Sequence, residues 1–163
     1  VTAAQDGTAV SPAGGRFTRQ MDQVASGTAV LRGQDLAWTQ LFGGLAHVTC
    51  QVATAAGDRY VVKFLTQEMD DFGLMIPIGD LIANTVAAGE SGIGAQVLEA
   101  LPDVPAIVLE FIDGVTLDTP DLARPEYIPR IGRAIRDLHT RAPAMGNSIV
   151  IWQFLDDYLA LLD

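Results

Sequence analysis

The chain has 163 residues and a mass of 17.3 kDa, enough for one domain with a real core and too little for two independent ones. Twenty acidic against ten basic side chains give a net charge of −10 and a pI near 4.4, which excludes roles that depend on neutralising a nucleic-acid backbone or an anionic membrane. Hydrophobic residues at 49% and a mean hydropathy of +0.27 exclude a disordered chain, and no apolar run approaches the roughly 20 residues a bilayer span needs.

The first residues, VTAAQDGTAVSPAGG, have neither a basic nor an apolar segment of a secretory signal, so a cytoplasmic location is expected. Residues 1–35 begin rich in Ala, Gly, Thr and Ser, and are read as a mobile leader. From Leu36 the pattern changes to three β-like runs, AWTQLF, VTCQVAT and RYVVKFL, with AAGD at 55–58 as the turn between the second and third. Cys50, the lone cysteine, lies in the second run; it cannot form an intramolecular disulfide and is expected to be a buried, inert thiol.

Ile78, Leu81, Ile82, Thr85 and Val86 then recur at helical spacing, and Gly89 or Gly92 can end that helix. Strand-like runs return at AQVLEAL and PAIVLEFI, and DGVTLDTPDLARP reads as an irregular connector. Ile128, Ile131, Ile135 and Leu138 line one face of a second helix whose other side carries Arg130, Arg133, Arg136 and Asp137. A last helix collects Ile151, Phe154, Leu155, Tyr158, Leu159 and Leu162 on one broad apolar face. Strands and helices are segregated, so the pattern predicts an α+β fold with an antiparallel sheet.

Lys63 is the only lysine; every other basic side chain is arginine. Strand alternation puts it on one face with Val61 and Leu65, and Tyr60, Val62 and Phe64 on the other. A lysine in such a place can cover apolar surface with its stem while its head reaches water. Arginine would serve that purpose equally well, so keeping lysine here points to a need for a compact point charge, such as a phosphate group presents. The glycines of LFGGL, between the first and second strands, lie one strand earlier.

In this order and spacing, L-F-G-G-L-A-H-V-T-C-Q-V, R-Y-V-V-K-F, I-A-N-T-V-A-A-G-E-S-G-I-G-A-Q-V-L, I-V-L-E-F-I-D-G-V-T-L and A-I-R-D-L-H-T resemble the aminoglycoside phosphotransferase and choline kinase superfamily, small-molecule kinases with a protein-kinase-like fold. The G-G-L turn and A-N-T helix look most like those of bacterial choline-kinase-like members. The resemblance runs from about Leu36 to Leu162. It implies a nucleotide-binding N-terminal lobe over 36–112, a five-stranded antiparallel sheet plus one helix. A hinge connector and the first two helices of an incomplete C-terminal lobe would come next, over 113–163. By the same resemblance Gly43, Gly44, Leu45, Ala46 and His47 form the nucleotide-phosphate loop, Lys63 holds the α- and β-phosphates, and Glu110, Phe111 and Ile112 are the hinge that reads adenine. ATP and Mg2+ are the implied cofactors.

Three departures qualify this expectation. Ala46 and His47 stand where the family's turn has Thr or Ser and then Asn, and His47 reads as a solvated turn histidine. Leu81 stands where the family has a glutamate to pair with the lysine, which leaves Asp80 and Glu90 as candidate partners. No H-x-D-x-x-x-x-N catalytic loop is present, and the D-F-G at 71–73 precedes the helix, so it is read as coincidence in a loop. The chain is therefore expected to be the N-terminal part of a kinase that phosphorylates a small-molecule hydroxyl, with a choline-like amino alcohol favoured over an aminoglycoside or sugar, and to be inactive alone. The alternative is a non-catalytic nucleotide-binding or interaction module.

Overall fold

A computed structural model of the chain describes residues 15–41, 47–66, 76–145 and 151–160. The β-like runs are strands: β1 (Leu36–Leu41), β2 (Val48–Thr54), β3 (Arg59–Phe64), β4 (Val97–Leu101) and β5 (Ala106–Glu110). They form a single sheet in the order β1-β2-β3-β5-β4, with every neighbouring pair antiparallel. The helices are α1 (Gly15–Gly27), α2 (Ile78–Glu90), α3 (Thr119–Leu122), α4 (Ile128–Arg141) and α5 (Ile151–Ala160). The fold is α+β, a five-stranded antiparallel sheet followed by a connector and two longer helices, as the segregated pattern predicts. No described helix is long and apolar enough to cross a membrane.

The β2–β3 hairpin closes where expected. Thr54 N–H donates to Asp58 O over 2.9 Å, Asp58 N–H donates to Thr54 Oγ1, and Gly57 takes φ +94°, a left-handed conformation that glycine adopts without steric cost. At the end of α2 the structure chooses between the two glycines. Gly92, at φ +72°, terminates the helix, with Ile93 N–H returning to Ala88 O. Gly89 lies inside α2 and lets the chain entering β4 pass close by: a Cβ there would stand 2.8 Å from the Ala95 carbonyl oxygen.

One face of the sheet is the hydrophobic core. Cys50, Val52, Val62, Phe64, Ala106 and Val108 are fully buried on it. Burial pushes the Cys50 thiol up to about 11, so it stays protonated and unreactive near neutrality. The other half of this core comes from the segment expected to be a mobile leader, and here the expectation is corrected. Val24 of α1 and Leu31 of the following turn are fully buried against the sheet, with Phe17 and Met21 packed beside them. The Phe17 and Phe64 rings lie 5.9 Å apart at 60°, and the Trp38 ring stacks with that of Phe64 at 6.2 Å. Glu99 of β4 accepts a 3.0 Å hydrogen bond from Val30 N–H, tying the turn after α1 to the opposite edge of the sheet. The physical reason is simple: an apolar sheet face must be covered, and each of these side chains contributes roughly 1.5–3 kcal/mol by leaving water. The folded lobe therefore extends N-terminal to Leu36; residues 1–14 lie outside the described residues.

The connector read as irregular contains the short helix α3. Asp118 caps it, accepting from Asp121 N–H at 2.9 Å while Asp121 returns a carboxylate to Asp118 N–H. Helices α4 and α5 appear where periodicity placed them. Ile128 and Ile135 of α4 and Leu155 and Leu159 of α5 are exposed, whereas the side chains of Ile151, Phe154, Tyr158 and Leu162 lie outside the described residues.

If α1 and its turn are half of the core, Leu31→Ala lowers unfolding free energy by about 2–4 kcal/mol, as fully buried leucines do. A mobile leader would tolerate the change with no shift in the urea midpoint.

Candidate functional site

Strand β3 serves two environments. Val62 and Phe64 point into the core, so Lys63 emerges on the opposite, inner face, as alternation requires. Its register partners are Thr49 on β2 and Ile107 on β5, and Ile107 is fully buried although it lies on this inner face. Lys63 is itself half-buried and makes no hydrogen bond or ion pair with any described residue. Burial without a compensating anion lowers its pKa from the ordinary 10.5.

Neither Asp80 nor Glu90 supplies that anion. Helix α2 packs chiefly against β4, the edge strand, rather than against β3. Asp80 sits half-buried in its first turn and Glu90 is exposed at its last residue, and neither pairs with Lys63. Leu81 is half-buried on the same helix, so the ion pair expected of a kinase-like helix is absent among the described residues.

Of the phosphate-loop residues, Gly43, Gly44, Leu45 and Ala46 lie outside the described residues, as does the D-F-G at 71–73. His47 is described, and it is not a solvated turn histidine. It is half-buried, and its Nδ1 accepts from Thr66 N–H at 3.3 Å, joining the start of β2 to the end of β3.

At the other end of the inner face, β5 runs into the expected hinge. Glu110 is bound twice to Gln96: its N–H donates to Gln96 O at 2.9 Å, and its Oε1 accepts from Gln96 N–H at 2.9 Å. Its N–H is thus committed within the sheet. Beyond it, Ile112 is 63% exposed. One step beyond the Tyr60–Glu110 register pair, the Arg59 guanidinium lies over the Phe111 ring, 4.2 Å from its centre, and pairs with Asp113 at 3.1 Å. Arg59 was not singled out from sequence, although alternation from Lys63 through Val61 already puts it on the inner face.

Helix α4 is joined to the lobe at a second place. Arg141 Nη2 donates to Ser91 O at 3.1 Å, at the carbonyl end of α2, where a cation is favoured. Between α4 and the connector, Val115, Leu117, Tyr127, Arg130, Ile131 and Ala134 line a cavity of about 530 Å³.

No protein-family model and no curated protein matches the sequence. Among solved structures, a choline/ethanolamine kinase family protein from Mesorhizobium loti superposes with a TM-score of 0.71 at 21% identity, over 90% of this chain and 46% of that one. The fold is that of the choline/ethanolamine kinases. An ethanolamine kinase of Plasmodium vivax superposes with a TM-score of 0.60 at 15% identity, over 78% of this chain and 36% of its own. The chain thus spans less than half the length of either kinase structure. Lys63 and Arg59, which lies over Phe111, stand at two ends of the same sheet face.

Two outcomes are expected from this geometry. In the unfolded chain Lys63 titrates at its ordinary value, and in the folded chain it titrates lower, so its charge is a penalty on folding that is fully present below the folded pKa and fades as pH rises through it toward 10.5. Because solvent screens a half-exposed charge, Lys63→Met is expected to stabilise the protein by no more than a few tenths of a kcal/mol, with the gain shrinking at alkaline pH in urea titrations. For His47, a side chain that keeps an acceptor is expected to be tolerated: His47→Asn unfolds near the wild-type midpoint, whereas His47→Leu removes the acceptor of the Thr66 N–H and loses about 1 kcal/mol.

Proposed function

We propose that this chain is the nucleotide-binding lobe, with the hinge and the first helices beyond it, of an ATP-dependent kinase that phosphorylates a hydroxyl of a small molecule. The observation that carries the reading is Lys63, a half-buried ammonium with no anion beside it among the described residues, on the inner face of a sheet whose fold matches choline/ethanolamine kinases. A triphosphate would supply the counter-charge, returning the lysine toward its ordinary pKa. The base would lie toward Phe111 and Ile112, whose backbone groups come after a Glu110 N–H already spent on Gln96. Val61 and Leu109, register partners between these two ends, offer an apolar surface for it. Mg2+ would arrive bound to the phosphates, neutralising charge that a single lysine cannot.

The acceptor is proposed as a choline-like amino alcohol, on the strength of the fold neighbours alone. The chain contains no H-x-D-x-x-x-x-N sequence to orient a hydroxyl, so by itself it binds nucleotide without transferring phosphate. A lobe that binds nucleotide and does no chemistry in its parent protein either is the second reading, favoured by Leu81 and by the lack of an ion pair to Lys63 among the described residues.

Isothermal titration of the purified chain with MgATP tests the proposal. Saturable binding that Lys63→Met weakens at least tenfold, about 1.4 kcal/mol, supports it. Absence of binding, or binding indifferent to Lys63→Met, overturns it; phosphorylation of choline or ethanolamine by this chain alone would overturn the claim that it lacks chemistry.

A further inference from the structure

The inner face of the sheet carries two cations on one strand. Lys63 and Arg59 are four residues apart on β3, so alternation presents both on the same side, about 13 Å apart along the strand. Lys63 stands opposite Ile107, and Arg59 stands at the mouth of the hinge over Phe111. The two have different surroundings. Lys63 has no anion among the described residues, whereas Arg59 is 42% exposed and engaged on two sides, by the ring of Phe111 and by Asp113. A guanidinium so occupied is not a second phosphate site.

Its contacts reach the residues just after the strand pairing stops. Phe111 and Asp113 flank Ile112, and beyond Glu110 the β3–β5 ladder no longer holds the backbone. On the side toward β4, the double hydrogen bond between Glu110 and Gln96 fixes the strand's end. On the side toward β3, the Arg59 guanidinium lies over the Phe111 ring, 4.2 Å from its centre, and pairs with Asp113, whose side chain is 83% exposed. Lysine could pair with Asp113 but could not stack as a plane.

We propose that Arg59 is the positioning residue of the base-binding end of the cleft: stacked on Phe111 and paired with Asp113, it holds the Phe111–Ile112 backbone in the orientation that reads a nucleobase. The inference rests on the nucleotide-binding reading above, and it adds a residue that acts on the base and not on the phosphates.

The test separates the two ends of the ligand. NMR titrations with adenosine, guanosine and tripolyphosphate are compared for the wild type, Arg59→Ala, Arg59→Lys, Asp113→Asn and Lys63→Met. Arg59→Ala is expected to weaken adenosine about fivefold to tenfold and to narrow the adenosine–guanosine ratio, with tripolyphosphate unchanged. Lys63→Met is expected to do the reverse. Arg59→Lys and Asp113→Asn each keep half of the clamp and are expected to fall between; they carry the test if Arg59→Ala does not fold. Loss of adenosine and tripolyphosphate affinity in equal measure would show that Arg59 merely supports the lobe, and would overturn the proposal. Unchanged adenosine affinity in the Arg59 variants, with tripolyphosphate still dependent on Lys63, would overturn it while leaving the nucleotide-binding reading intact. A wild type that binds none of the three overturns both.

Discussion

The structure depends on the two-residue alternation of β3. Val62 and Phe64 must be buried, because they stand at the centre of the sheet's apolar face, Val62 between Cys50 and Val108 and Phe64 between Val48 and Ala106. That requirement fixes which side of the strand Lys63 and Arg59 occupy. A register slip of one residue would put a lysine into the core and a phenylalanine into the cleft, at a cost of several kcal/mol for each misplaced group. Core packing and the presentation of the inner-face cations are therefore one constraint.

The cover over that apolar face comes from far away in sequence. Helix α1 and the turn after it lie on the sheet through Phe17, Met21, Val24 and Leu31, and the Val30–Glu99 hydrogen bond spans 69 positions. Because α1 takes the outer face, the Lys63 row is left on the inner one, and α2 packs against the edge strand β4. The lobe is then linked onward at two points, by Arg59 with the hinge and by Arg141 with the carbonyl end of α2. Both links use guanidinium groups, which can direct several donors at fixed angles where a lysine would offer one flexible charge. The single lysine is kept where none of the described residues answers it.

Strands and hairpin were legible because their signals are local: β-branched alternation for β2 and β3, and a glycine at the one turn position that demands positive φ. Helices α2 and α4 were legible from 3.6-residue periodicity. Helix α1 was obscured by the polar, Gly- and Ala-rich residues around it, yet Phe17, Met21, Val24, Thr28 and Leu31 keep spacings of four and three, a helical stripe that continues into the next turn. The role of His47 was illegible for a different reason. A ring nitrogen that accepts from Thr66, nineteen positions on, shows itself only when β2 and β3 are paired.

The sequence by itself determined the α+β class, the five strands with helices α2, α4 and α5, the kinase-like resemblance and the face on which Lys63 lies, since each comes from periodicity or from motifs read along the chain. Only the tertiary structure decided that α1 completes the core, that neither Asp80 nor Glu90 pairs with Lys63, and that Arg59 lies over Phe111 and pairs with Asp113. Those outcomes depend on distances between elements remote in sequence, which are set when apolar faces choose partners and not by the local preferences of any residue.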